Sequence, residues 1–160
     1  MFKEITVIPI GNPLRGDDGA GPWVEEHLRN SSLPEGIVLE NAGADPFRLL
    51  EYMLEDREIL LVDAVRMGKP PGTVTLFDLD NAAAVANASF ISLHGIDIPY
   101  IQNLARKMNA RAKVRVIGIE PEKMDFSERL SPVVEEAVGR VVKWIIGGGK
   151  SNGWEDFDYR

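Results

Sequence analysis

Residues 5–28 read ITVIPIGNPLRGDDGAGPWVEEHL, and the order of features in that stretch decides the fold. Residues 5–10 form a short, nearly continuous apolar run, the pattern of a strand covered on both faces. Gly11-Asn12-Pro13 ends the run with turn chemistry. Beyond the loop, Ala20, Trp23, Val24, His27 and Leu28 recur at helical spacing as one stripe, with Pro22 suited to the first turn. A buried strand, a glycine-rich loop and an amphipathic helix make the first unit of an α/β fold.

The rest of the chain repeats that alternation. Residues 37–40 read as a second strand, and Asp45-Pro46 opens a helix with Asp45 as N-cap and Phe47, Leu50, Met53 and Leu54 along its buried face. Residues 58–63 give the clearest strand, four large apolar residues closed by Asp63, with cover expected on both faces. The link through Gly68 and Pro70-Pro71-Gly72 is too short for a helical crossover, so residues 73–77 are expected as an antiparallel strand at an edge. A helix carrying Ile98, Ile101, Leu104, Ala105 and Met108 on one face precedes a fifth strand at 114–119. Ser131-Pro132 then starts a last helix with Val134, Ala137, Val138, Val141, Val142 and Ile145 in its stripe. The expected architecture is a three-layer α/β sandwich: a five-stranded, mostly parallel sheet with one antiparallel edge strand and helices on both faces. Residues 1–147 form one domain, and 148–160 show no periodicity and read as a mobile tail.

Composition narrows the function. A net charge of −7 opposes nucleic acid as a partner, because that affinity comes mainly from cationic side chains. No apolar run is long enough for membrane insertion, and the first residues lack the pattern of an export signal, so a cytoplasmic location is expected. The chain has no cysteine, which leaves carboxylates, hydroxyls and two histidines for any catalysis or metal binding.

In open α/β sheets, sites form beyond the carboxyl ends of the strands. Asp17-Asp18, Asp63 and His94 all fall there. The loop has the position of a phosphate loop but carries two carboxylates and no phosphate-binding Lys, so it disfavours anions. Capping is the bland alternative for either aspartate of the pair, a turn for Asp63, and a hydrogen-bonded loop position for His94; His27, on the helix stripe, is read as a core or boundary residue. Taken together, two carboxylates and an imidazole suit a divalent cation with open coordination positions, hence a metal-dependent hydrolase. A pair of aspartates that shares a proton and activates water is the other reading of the same residues.

With these motifs in view, the chain resembles the hydrogenase maturation endopeptidases (peptidase family M52), which trim the C-terminal extension of the nickel-iron hydrogenase large subunit. The resemblance rests on Gly11-Asn12 with Gly16-Asp17-Asp18-Gly19-Ala20-Gly21-Pro22, on Leu60-Leu61-Val62-Asp63-Ala64 followed by Gly68 and Pro71-Gly72, on His94, and on Gly118-Ile119-Glu120-Pro121. The "GDDGAGP" form is similar to the branch serving hydrogen-evolving membrane-bound hydrogenases. The resemblance implies that Asp18, Asp63 and His94 are both the catalytic and the metal-binding residues, and that the five-stranded sheet is twisted. It also implies a hydrogenase large-subunit precursor as partner, nickel supplied by that precursor and no organic cofactor; a monomer or weak oligomer is expected. Asn41-Ala42-Gly43 stands where that family usually has Asp-Gly-Gly. A nickel-sensing module without peptidase activity and a nucleotide-binding protein are the rival readings, the second disfavoured by the paired aspartates.

Overall fold

The computed structural model describes residues 4–43, 45–85, 92–93, 96–149 and 157–159. In chain order the elements are β1 (Ile5–Pro9), a 3-10 turn (Gly16–Gly19), α1 (Ala20–Arg29), β2 (Ile37–Leu39), α2 (Pro46–Leu54), β3 (Glu58–Ala64) and β4 (Val74–Asp78). There follow α3 (Ala82–Val85), β5 (Ser92–Leu93), β6 (Ile96–Asp97), α4 (Ile98–Lys107), β7 (Lys113–Ile119), α5 (Pro132–Ile146) and β8 (Asp158–Tyr159).

The main sheet runs β2-β1-β3-β7-β4, the first four strands parallel and β4 antiparallel to β7. The expected five-stranded mixed sheet is therefore present, with β3 at its centre. Alternation along β3 supplies both core layers. Ile59 and Leu61 pack with α2 and α4, through Leu49, Met53, Ile98, Ile101 and Ala105. Leu60 and Val62 pack with α1 and α5, through Val24, Leu28, Val134, Val138 and Val141. One continuous apolar strand thus requires two helix layers, which is the three-layer sandwich.

β4 is not left bare along its outer side. Asp158–Tyr159 pair with Thr75 and Leu76 in parallel register. Phe157 is buried, its ring 5.5 Å from that of Trp144 on α5. The buried ring of Phe157 anchors this strand, and its pairing satisfies part of an otherwise open edge.

Two helix faces differ from expectation. On α2 the buried positions are Pro46, Leu49, Tyr52 and Met53, so the stripe sits one residue away from the expected one and Phe47 is 62% exposed. Tyr52 decides this register: its ring is buried, while its hydroxyl donates to Glu40 Oε2 at 3.2 Å and accepts from Arg48 Nε at 3.0 Å. On α1 the stripe holds at Ala20, Val24 and Leu28, but His27 is exposed, its ring 6.2 Å from Trp23. The expectation of a core or boundary histidine is corrected accordingly.

Helix α1 lies unusually close to the sheet because Gly21 has no side chain. A Cβ there would stand 2.1 Å from the Ile10 carbonyl oxygen and 2.8 Å from that of Val62. Gly21→Ala is expected to push α1 off the sheet and cost at least about 1–3 kcal/mol, as overpacking does. Urea denaturation at neutral pH reads this directly, and an unchanged midpoint would contradict the close approach.

Candidate active site

The chain passes from β1 through α1 to β2 on one side, then through α2 to β3 on the other side of β1. The carboxyl ends of β1 and β3 therefore flank a topological switch point, where the following loops diverge and leave a crevice. Asp18 comes from the loop after β1, and Asp63 is the penultimate residue of β3.

Asp17 and Asp18 are adjacent and chemically identical, yet the 3-10 turn sends them to different places. Asp17 is fully buried. Its Oδ2 accepts from the backbone N–H groups of Glu122 and Lys123, each at 2.8 Å, and from the Ser131 hydroxyl at 2.8 Å. Its Oδ1 accepts from Ser131 N at 2.7 Å. Burial alone would raise its pKa, but the bonds from Lys123, Ser131 and Glu122 outweigh that and hold it below the usual carboxylate value. Asp17 is a latch between the β1–α1 and β7–α5 loops. Ser131 does occupy the N-cap position of α5, but its hydroxyl serves Asp17 instead of capping the helix.

Asp18 is half-buried and faces the other way, its Oδ2 accepting from Asn12 N at 3.1 Å. The turn this needs is tight. Gly11 has φ of +144°, and a Cβ on it would stand 2.0 Å from the Asp18 carbonyl oxygen. Asn12 Oδ1 in turn accepts from Leu14 N at 2.9 Å, which fixes the loop beyond.

Asp63 is buried at the end of the central strand, directly opposite Gly118 of β7. Desolvation, then the charge of Asp18, push its pKa well above the ordinary carboxylate value; the Ala64 N–H opposes them and loses. Among the described residues no basic side chain pairs with Asp18 or Asp63. The two carboxylates are close enough to repel, and a cation or a shared proton relieves that conflict.

The third expected member, His94, lies outside the described residues, as does Gly95; the strands on either side, β5 and β6, pair antiparallel. Among the described residues, no group of three His, Asp or Glu gathers within reach of one ion. The structure thus brings Asp18 and Asp63 together and assigns Asp17 a different task.

Two further residues fix loops at the carboxyl ends of the strands. Glu120 is buried; its Oε2 accepts from Met67 N at 2.7 Å, while its backbone exchanges bonds with Gly72 and Thr73, at 2.8 and 2.9 Å. This clamps the link after Asp63 to the end of β7. The sequence signal was its position in the Gly118-Ile119-Glu120-Pro121 turn, which gave no role for the carboxylate. Beyond the carboxyl end of β2, Asn41 Oδ1 accepts from Gly43 N at 2.5 Å and Asn41 Nδ2 donates to Glu25 at 3.2 Å. With Gly43 at φ of +60°, Asn41 still makes the side-chain turn that an aspartate would make.

A family model described as hydrogenase maturation protease (HycI) matches residues 23–148, a span that includes Asp63 and His94. A Methanocaldococcus jannaschii protein classed with these proteases is 31% identical over 151 residues, covering 91% of this chain and 96% of the relative. The hydrogenase 3 maturation protease of Escherichia coli K12 is 25% identical over 146 residues, covering 91% of this chain and 90% of the relative. In fold, the chain is similar to the hydrogenase maturating endopeptidase HybD from E. coli, with a TM-score of 0.76 at 23% identity over 91% of each chain.

Proposed function

The chain belongs to the hydrogenase maturation protease family, and on that premise we propose that it removes the C-terminal extension of a nickel-iron hydrogenase large-subunit precursor after nickel has been inserted. Membership makes it a peptide-bond hydrolase. The observation that carries the finer reading is the buried Asp63 beside Asp18 at the switch point, a carboxylate pair with no basic partner among the described residues. Its cytoplasmic site of action belongs to the same proposal; among the described residues no helix is long and apolar enough to cross a membrane.

The donor set fits the metal as a visitor. Nickel in the precursor is a substrate feature, and oxygen and nitrogen donors are poor competitors for an ion held by softer ligands. Asp18, Asp63 and His94 would therefore fill open positions on the ion without extracting it, and only a loaded precursor would be anchored. While so held, the ion can polarise a carbonyl as a Lewis acid. The chain's own contribution is placement. Asp17 fixes the loop that presents Asp18, and Glu120 fixes the link that leaves Asp63.

The raised Asp63 pKa beside a charged neighbour also favours a second reading, an aspartate pair that shares a proton and activates water with no metal. One experiment separates the two. Nickel-loaded and nickel-free precursors are incubated with the protein and followed by mass spectrometry. Shortening of the loaded form alone is the expected result. A loaded precursor that stays full length removes the processing function, and equal cleavage of both forms removes the nickel requirement in favour of the proton-sharing pair.

A further inference from the structure

We infer that the cavity at the amino end of β7, walled by the second half of α4 and by the turn Leu79–Asn81 after β4, is a binding site for a compact oxyanion, a carboxylate or phosphate group. It is separate from the Asp18–Asp63 crevice. Val114 lines the cavity, whereas Gly118, which stands opposite Asp63, lies further along the same strand, about 13 Å away at about 3.3 Å per residue.

The cavity has a volume of about 260 Å³. Pockets for drug-sized ligands begin at about 300 Å³, so the occupant is smaller than that. Its walls are held in place without a ligand. Arg106 donates from both terminal nitrogens to the two carboxylate oxygens of Asp80, at 2.8 and 2.9 Å, which pins α4 to the turn after β4. On the other side, Ala110 N donates to the Ala105 carbonyl at 3.0 Å and Arg111 N donates to Asp56 Oδ1 at 2.6 Å, so the link from α4 to β7 is fastened before and at Arg111.

Two observations point to what fills this space. Gln102 lines the cavity and is only 5% exposed, yet its side-chain amide makes no hydrogen bond among the described residues. A buried amide is normally paired, and its neighbours on the same helix face, Ile98, Ile101 and Ala105, offer no side-chain partner. The second observation is charge. Arg106, Arg111 and Lys113 face only Asp78 and Asp80 on the lining, in a chain whose net charge is −7. Asp80 is already committed to Arg106, and neither Arg111 nor Lys113 has an ion pair among the described residues. Water would satisfy the amide and leave the cationic excess unanswered. An oxyanion answers both: it accepts from Gln102 Nε2 and meets the Arg111 guanidinium, whose planar fork matches carboxylate and phosphate alike.

The test is binding, read by thermal unfolding and by calorimetry, and it is independent of precursor cleavage. Inorganic phosphate and succinate are each titrated to about 100 mM, a hundredfold excess over a millimolar Kd, against sodium chloride at matched ionic strength. A rise of about 5–10 °C in the wild-type midpoint is expected with at least one of the two, beyond any effect of chloride, and the pair compared identifies the phosphate or the carboxylate as the preferred group. Gln102→Leu is expected to weaken binding about tenfold or more while the ligand-free midpoint stays at or above that of the parent, because an unpaired buried amide is removed. Arg111→Ala/Lys113→Ala weakens binding to a similar degree with an unchanged ligand-free midpoint, since both side chains are exposed; it decides the matter if Gln102→Leu does not fold. Wild type that responds to phosphate and succinate no more than to chloride overturns the inference in favour of a water-filled cavity. A shift that survives in the double variant and in folded Gln102→Leu overturns it in favour of an ion held elsewhere on the surface.

Discussion

Asp63→Asn is expected to abolish precursor cleavage, by about a thousandfold or more, and to leave a protein that is harder to unfold at neutral pH than the parent. Both effects follow from where the carboxyl sits. Asp63 is buried and faces the charge of Asp18, so its native pKa lies well above the 3.8 of an ordinary aspartate. Between 3.8 and that raised value, the native state holds a proton that the unfolded chain has already released. Stability therefore falls as pH rises through this window, and the loss remains in place above it. Asparagine has no proton to lose, so its stability curve is flatter and lies higher at pH 7. Each kcal/mol regained is worth about 2–4 °C in Tm for a chain of this size. Urea melts from pH 4 to 8 measure the slope, and the cleavage assay measures the loss. A variant that cuts normally removes Asp63 from the site, whereas one that is less stable at pH 7 contradicts the raised pKa. A residue kept at a cost to the fold is the mark of a functional site.

Asp17→Ala has the opposite character and the largest effect on folding. Four hydrogen bonds to one fully buried carboxylate are lost together, and the backbone N–H groups of Glu122, Lys123 and Ser131 lose their acceptor. Each hydrogen bond to a charged group is worth about 1.5–3 kcal/mol, and these donors are only partly shielded from water, so a loss of about 3–5 kcal/mol is expected. Because the native pKa of Asp17 is lowered, its contribution is complete above the ordinary value of 3.8 and disappears as pH falls through that value toward the lower native one. Asp17→Asn should therefore lose stability at pH 7 and show a shallower acid dependence than the parent. Equilibrium denaturation at pH 3 and pH 7 separates this from a general packing defect, which would lower both values alike.

These two aspartates show what the sequence could and could not reveal. The fold was legible because Ile59 to Val62 is apolar without interruption, and a strand with two buried faces allows few architectures. The end of that strand was legible for the same reason, which brought Asp63 forward as a candidate. The division of labour between Asp17 and Asp18 was not. It depends on acceptor-seeking groups at residues 122, 123 and 131, more than a hundred positions away, and no local pattern encodes a partner at that distance. The face of α2 was misjudged by one residue because two apolar stripes overlap there, and the hydroxyl partners of Tyr52, not apolar spacing, select between them. The pairing of Asp158–Tyr159 with β4 involves two residues next to the buried Phe157, too little for any periodicity to register.

The latch at Asp17 also sets a clock. Its partners follow it by 105, 106 and 114 residues, so the loop that presents Asp18 cannot take its final form until the chain has been made as far as the start of α5. At synthesis rates of about 5–20 residues per second, that is a delay of roughly 6–23 s after Asp17 itself has been added. Throughout that interval β1, α1, β2, α2 and β3 can already associate through local contacts, while the crevice between them has no fixed wall. The wall that presents Asp18 is thereby tied to the synthesis of Ser131, and a nascent or truncated chain that lacks this residue has strands β1 to β7 without the latch.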